Sequence, residues 1–584
     1  MKLSVIALDY DGTVTRNDVL DPSVRDAIAV ARIQGITVLL VTGRILDDLR
    51  RVAGDLHFVD AVIAENGAIV HFPDRGGTSM IAPPAPMAFL DELQRRGIPF
   101  RAGQCLVDAD ANEAPRLLDV IRTLELPLVL VFNAGRVMTL PQGVSKATGL
   151  HVALDMLRLS AHNTVAIGDA ENDHELLRLA EVGVAVEWAS AALRSMADVV
   201  LTGGSPSSVA SYVRALAQTQ QLPITSRSRR RLLLGHTETG HEFSLAVRGR
   251  NVLVTGDAKS GKSWVAGLLC EQLILHGYCV CAIDPEGDYS SLEGLPGVTV
   301  LGREDPPPTP RELLRALRYP DRSVIVDLSH QAHDEKMLYI QGLLPALNVL
   351  RRQTGLPHRI VLDEAHYYLH ENAHHLLDFD RNGYTVITYC ASSLPSSLLE
   401  ATEVMIVTCQ SNPAELEALR RHCARCKTVD VTRWSMLGHL KLGQAVALPL
   451  TEESGGELRL FTVAPRLTPH VRHREKYVDV PVSPQQAFVF ARNGQPTERR
   501  SRTLRQFVGE LEHTSDGMLD GYLVRGDFSR WIEGVFGDHA LAEELRRLEE
   551  RHRTVSRTDT LAEIVAAIRA RYDLADGEVA ADVH

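Results

Sequence analysis

Short apolar runs recur along this chain, each closed by a turn signal and followed by a stretch with helical spacing. Residues 3–8, 37–41 and 164–167 are such runs near the N-terminus; 278–284, 323–327, 360–363, 384–389 and 404–408 are their counterparts in the middle. Runs that are apolar throughout, rather than alternating, are strands buried on both faces, and their alternation with helices predicts largely parallel sheets. After about residue 475 the pattern changes. Residues 487–490 read as a short strand, and 504–511, 527–532 and 541–548 as amphipathic helices, with Phe528, Trp531 and Ile532 on one face that reads as core.

The chain has 584 residues, too many for one hydrophobic core, so roughly three or four domains are expected. With 45% hydrophobic and 23% charged residues it is of globular composition. It has no apolar run long enough to span a bilayer and no cleavage pattern after Met1, which predicts a cytoplasmic chain without a membrane partner. A net charge of -12 excludes a chain that as a whole binds nucleic acid electrostatically, although short basic pieces leave DNA open as a partner. Cys270, Cys279, Cys281, Cys390 and Cys409 lie in apolar runs and read as buried reduced thiols. Cys423-Ala-Arg-Cys426 is a CxxC without the second ligand pair that zinc requires.

The first apolar run delivers Asp9-Tyr10-Asp11-Gly12-Thr13, two acids flanking one residue with a glycine turn behind them. One carboxylate is placed to attack phosphorus while the other handles a proton. The second run ends in Thr42-Gly43-Arg44, offering a hydroxyl and backbone N–H groups to phosphate oxygens. Lys146 begins a helix and can neutralise developing charge on a phosphoryl group. The run 164–167 ends in Gly168-Asp169-Ala-Glu-Asn172-Asp173, hard oxygen ligands suited to Mg²⁺.

These four pieces in this order resemble the haloacid dehalogenase (HAD) superfamily of phosphatases over residues 1–218. The resemblance implies a Rossmann-like domain with an inserted α/β cap. It also implies that Asp9 is the nucleophile forming an aspartyl phosphate and that Asp11 is the acid and then the base. Asp9, Asp169 and the Asp11 carbonyl would hold Mg²⁺ with support from Asp173, while Thr42 and Lys146 would clamp the phosphate of a small phosphorylated substrate. The gap from Asp11 to Thr42 is too short for a lid, whereas that from Thr42 to Lys146 has room, which puts the cap at about 83–141 after Ala64-Glu65-Asn66-Gly67-Ala68. This spacing is similar to the subgroup of phosphosugar, sucrose-phosphate and phosphoglycolate phosphatases.

In the middle of the chain Gly256-Asp257-Ala258-Lys259-Ser260-Gly261-Lys262-Ser263 follows an apolar run and precedes a helical stretch. That context makes a phosphate-binding loop: backbone N–H groups around the phosphates of ATP, Lys262 on the β- and γ-phosphates, Ser263 on Mg²⁺. Asp363 would support the ion and Glu364 would orient and deprotonate water. With the Asp284-Pro-Glu-Gly-Asp288-Tyr289 run and Asp363-Glu364-Ala365-His366, residues 246–475 resemble the HerA/FtsK branch of P-loop ATPases, of RecA-like fold. The resemblance implies ATP hydrolysis and a homo-oligomer, with a hexameric ring as one form. Arg381 sits where such proteins carry an arginine: a finger for a neighbouring subunit's ATP or a surface arginine at a turn. Where relatives carry a Thr-Gln pair this chain has Thr388-Tyr389.

Residues 219–245 read as a polar linker in which Arg227, Arg229, Arg230 and Arg231 form either a solvated cluster or a phosphate contact, and 476–584 as a small, mainly helical module. Arg499, Arg500, Arg502 and Arg505 carry the same two readings, and 468–477 is a basic, histidine-rich connection. The expectation is a bifunctional hydrolase, phosphatase and ATPase. The alternatives are a nucleic-acid end-processing enzyme with a DNA motor, or an ATP-sensing scaffold that gates a small-molecule phosphatase.

Overall fold

The computed structural model describes residues 1–16, 18–133, 135–223, 230–246, 249–370, 375–423, 434–448, 458–469, 482, 486–492, 495–514, 516–536, 538–554 and 559–572. Arg227, Arg229, Cys426 and most of the 468–477 connection lie outside them. The chain divides into two units. One comprises Met1–Arg230 with Arg318–Pro320 and Leu350–His358, the other the remainder. Among the described residues no helix is long and apolar enough to cross a membrane.

The first unit is built on an eight-stranded sheet. Its order is Val199–Val200, Val182–Ala185, Thr164–Gly168, Val5–Asp9, Thr37–Val41, Ala61–Ala64, Ile69–Phe72 and Gly77–Met80. The first six are parallel and the last two antiparallel. Val5–Asp9 is central and buried along its whole length, which is why every position in it is apolar until Asp9. Its neighbours end in Thr42 and in Gly168-Asp169, so three of the motifs open from one edge of the sheet, where open parallel sheets hold ligands.

A second, antiparallel sheet of four strands lies between Met87 and Pro141, in the order Leu128–Asn133, Arg136–Pro141, Val107–Asp110, Arg101–Ala102. Helices Met87–Arg95 and Ala114–Thr123 give it its own core, in which Phe89, Leu93, Leu117 and Val120 meet Val107, Ala109 and Val137. Met138, on the opposite face from Val137, belongs to the core of the main sheet.

The second unit contains an eleven-stranded sheet. Seven strands are parallel, in the order Thr402–Val407, Asn251–Thr255, Tyr384–Thr388, Arg359–Leu362, Val280–Asp284, Ser323–Asp327 and Val298–Gly302. Gln444–Ala447, Arg459–Val463, Leu232–His236 and Glu242–Leu245 extend it antiparallel. Part of the stretch expected as linker is therefore sheet: Leu232, Leu234 and Phe243 are buried in a hairpin. Toward the C-terminus, helices Leu504–His513, Asp516–Arg525, Asp527–Trp531, His539–Thr554 and Thr560–Tyr572 enclose Phe488, Phe507, Phe528, Trp531 and Ile532.

Candidate active sites

In the first unit Lys146 is the first residue of helix Lys146–Leu157. Ser145 caps that helix by accepting from Thr148 N, while Thr148 Oγ1 accepts from Ser145 N. Gly67 lets the preceding strand pass beneath it: with φ 108° it approaches so closely that a Cβ would lie 1.9 Å from Ser145 O. Lys146, 2% exposed, donates to Asp9 Oδ1 at 2.5 Å and to Asp173 Oδ1 at 2.7 Å. The other Asp173 oxygen accepts from the N–H groups of Asp169 (3.0 Å) and Ala170 (2.9 Å), and Asp169 Oδ1 accepts from Thr13 Oγ1 at 2.9 Å. Asp9, Asp169 and Asp173 each bring a carboxylate oxygen to a common point, all within 4.8 Å of one another.

Three carboxylates against one ammonium leave this buried pocket with excess negative charge. Burial, then Asp173, holds the Asp9 carboxyl well above its ordinary range; burial and Asp173 likewise raise Asp169. Burial lowers the Lys146 ammonium, but Asp173 and Asp9 outweigh it and leave the lysine raised. Asp9 Oδ2 is buried and has no hydrogen-bond partner among the described residues. An orphaned carboxylate oxygen within an all-oxygen donor set fits a hard divalent cation such as Mg²⁺.

Asp11 sits beside this pocket in the grip of Arg44, which forks onto it with Nε (2.8 Å) and a terminal nitrogen (2.6 Å) and also pairs with Asp18. Thr42 Oγ1 donates to Asp11 Oδ2 at 3.3 Å and accepts from Arg44 N at 3.0 Å. Asp9, Asp11, Thr42, Lys146, Asp169 and Asp173 are thus brought together from four separate stretches of chain. Sequence reasoning gave Arg44 no role of its own, although its place two residues after Thr42 was the available signal. It also missed Trp188, whose indole N–H donates to Gly12 O at 2.6 Å.

Glu65 was read only as part of a turn. Its carboxylate is 1% exposed and accepts from the N–H groups of Gln104 (2.9 Å), Cys105 (2.7 Å) and Leu106 (3.0 Å), between strands Arg101–Ala102 and Val107–Asp110 of the four-stranded sheet. Glu65→Ala strands two buried donors and a third, part-buried one that water reaches, and with losses of about 1 kcal/mol or more per buried orphan the first unit is expected to lose about 2 kcal/mol. Urea unfolding followed by probes in that unit checks this; a loss under about 1 kcal/mol would show that water takes over the donors.

In the second unit strand Asn251–Thr255 runs into the Gly256–Ser263 loop, and Lys262 and Ser263 open helix Lys262–Leu275. Gly256, Lys259 and Gly261 have positive φ. Lys262 Nζ donates to Asp257 O at 2.8 Å, and Ser263 Oγ to Asp288 Oδ2 at 2.7 Å. Asp288 is delivered by a turn wound around Asp284, whose carboxylate accepts from the N–H groups of Gly287 (2.7 Å), Asp288 (3.0 Å) and Tyr289 (2.9 Å). Burial, then Asp288, Asp327 and Asp363, pushes the Asp284 carboxyl well up. Asp363 and Glu364, both buried, follow strand Arg359–Leu362, one strand removed from Asn251–Thr255 and parallel to it. Arg381 lies in the turn before strand Tyr384–Thr388, its N–H on Asp378 O; no hydrogen bond among the described residues brings it to the Gly256–Ser263 loop.

A parallel sheet that presents three carboxylates and a buried lysine at one edge, with a second small sheet inserted beyond it, defines a carboxylate-based hydrolase domain. Comparison with known proteins agrees. Residues 6–93 and 101–213 match the family described as haloacid dehalogenase-like hydrolase. The phosphoglycolate phosphatase of Methanothermobacter thermautotrophicus is 31% identical over 220 residues, which cover 36% of this chain and 98% of that protein. The enzyme of the same description from Natronomonas pharaonis is 34% identical over 206 residues, covering 33% and 89%. A haloacid dehalogenase-like hydrolase from Bacteroides thetaiotaomicron of known structure is 19% identical, covering 37% of this chain and all of its own, with a TM-score of 0.33. Through its N-terminal region of about 220 residues this chain belongs to the haloacid dehalogenase-like hydrolases, and that region is a HAD-type phosphatase domain.

Proposed function

We propose that the chain is a bifunctional hydrolase, with a phosphomonoester phosphatase in residues 1–218 and an ATP-hydrolysing domain in about 231–475, followed by the C-terminal helices. The phosphatase reading rests on one observation: Lys146 is held between Asp9 and Asp173 with Asp169 beside them. Asp9 attacks phosphorus through a carboxylate oxygen; the ester P–O bond breaks and an aspartyl phosphate forms. Asp11 protonates the departing oxygen, then takes a proton from the water that hydrolyses the acyl phosphate. Thr42 and Lys146 hold the phosphoryl oxygens. Asp9, Asp169, Asp173 and the Asp11 carbonyl would hold Mg²⁺, which when bound neutralises charge on the phosphoryl group.

The relatives' description makes 2-phosphoglycolate the first substrate to try, with phosphosugars second. Phosphate release from that panel in Mg²⁺ is the test. Adding EDTA is expected to lower the rate by about 100-fold or more, and Mg²⁺ in excess to restore it. Release from none of the panel, or release indifferent to EDTA, would sink the reading.

The ATPase reading is favoured by the Ser263–Asp288 hydrogen bond and by the buried Asp363-Glu364 pair that follows a parallel strand one removed from the strand before the loop. The Gly256–Ser263 backbone would cradle the phosphates, Lys262 reach the outer two, Ser263 and Asp363 hold Mg²⁺, and Glu364 orient water.

A further inference from the structure

We infer that His366 is a positioning residue for ATP hydrolysis, linking the hydroxyl of Thr388 at the end of a central strand to the carboxylate of Glu364. The inference rests on the ATPase reading above and adds to it a route from the phosphate loop to the group that handles water.

The route begins in the sheet. Thr388 is paired in parallel register with Thr255, the residue immediately before Gly256. Any shift of the loop's first residue on binding phosphate is therefore felt at Thr388 through the strand ladder. The Thr388 hydroxyl oxygen accepts from Cys390 N at 3.0 Å and lies 3.2 Å from His366 Nδ1, which carries the ring proton in the tautomer that serves a carboxylate. The same Nδ1 stands 3.6 Å from Glu364 Oε2. One imidazole nitrogen thus faces both the strand-end hydroxyl and the carboxylate.

The three side chains are buried, and the imidazole has little freedom. Tyr389, the residue after Thr388, and Tyr367 lie against it with ring centroids 4.2 Å and 4.3 Å away. Glu364 itself is held in a left-handed backbone conformation, φ 46°, which a non-glycine residue keeps only when its surroundings over-determine it. Tyr368 supplies part of that determination by donating its hydroxyl to Asp363 O at 2.8 Å. His366 supplies the part that reaches the side chain: a change at Thr388 alters which partner the imidazole favours and hence where the Glu364 carboxylate points. A histidine that merely filled space between two tyrosines would have no need of Thr388 or of Glu364.

Steady-state ATP hydrolysis by the full chain and its variants tests this. His366→Ala is expected to lower kcat about 30-fold while KM for ATP changes by less than about threefold, because the carboxylate is misdirected and the phosphate cradle is intact. His366→Asn, whose amide falls near the Nδ1 position, is expected to recover at least about a third of the lost rate on a logarithmic scale. Thr388→Val is expected to lower kcat as well, and the double variant Thr388→Val/His366→Ala to be no slower than His366→Ala alone, as for residues acting in one chain. Unchanged kcat in His366→Ala, or fully additive losses in the double variant, would overturn the inference. If His366→Ala misfolds, the KM-against-kcat split in Thr388→Val and the rate of His366→Asn decide the matter. Wild-type protein with no Lys262-dependent turnover would instead overturn the ATPase reading itself, an outcome visible before any His366 variant is assayed.

Discussion

Asp9→Asn is expected to lower phosphate release from phosphomonoesters by about 10⁴-fold or more, with ATP turnover unchanged to within about twofold. A carboxamide oxygen can still accept from Lys146, so the local hydrogen bond survives, but the amide is no nucleophile toward phosphorus. The fold should not suffer. Asp9 is buried and destabilised by burial and by Asp173 and Asp169, so removing its charge relieves repulsion in the protein without a bound cation. Phosphate release and thermal unfolding on the same preparation check both halves. A variant that keeps more than about 1% of the rate would remove Asp9 from the nucleophile's role; one that unfolds tens of degrees early would mean that the carboxylate has a structural function.

The first unit's site was legible because each of its parts ends a strand or begins a helix. Asp9, Thr42 and Asp169 follow fully apolar runs, and such runs in a parallel sheet bring their ends to one edge whatever lies between them. Lys146 was legible as the start of a helix, which the Ser145 capping box in the structure fixes there. What stayed hidden depends on long-range side-chain partners. The Glu65 carboxylate meets three N–H groups some forty residues further along the chain, and nothing in Ala64-Glu65-Asn66-Gly67-Ala68 names them. Arg44 lies inside a recognised motif, yet its fork onto Asp11 is a matter of rotamer.

In the second unit six of the seven parallel strands showed through, whereas Val298–Gly302 at the edge of the sheet and the antiparallel strands did not. Leu232–His236 and Glu242–Leu245 lie within the stretch 219–245 that reads as a linker, and a hairpin on the outer part of a sheet needs fewer apolar positions than a central strand does. Helix Thr560–Tyr572 also escaped notice, although Thr558-Asp559-Thr560 with Glu563 three residues on is a helix-start signal. The link from Thr388 through His366 to Glu364 shows the same limit at finer scale. Asp363-Glu364-Ala365-His366 announces an acidic strand end, but only the adjacency of two strands tells which hydroxyl the histidine meets.

Lys262→Ala is expected to reduce ATP hydrolysis by about 100-fold or more and to leave phosphomonoester hydrolysis within about twofold. Lys262 is buried at the start of its helix, with Nζ on the carbonyl of Asp257 inside its own loop. ATP would exchange that neutral acceptor for charged phosphate oxygens, a gain the alanine variant cannot make. The measurement is phosphate release from ATP with and without double-stranded DNA, beside release from the best phosphomonoester with and without ATP. Unchanged ATP turnover would end the assignment of the Gly256–Ser263 loop. Turnover that collapses, with a phosphatase rate responsive to ATP in the wild type and deaf to it in Lys262→Ala, would mean that the second unit regulates the first. A phosphatase rate indifferent to ATP in both proteins, with ATP turnover raised several-fold by DNA, would instead make nucleic acid the substrate of the second unit's work.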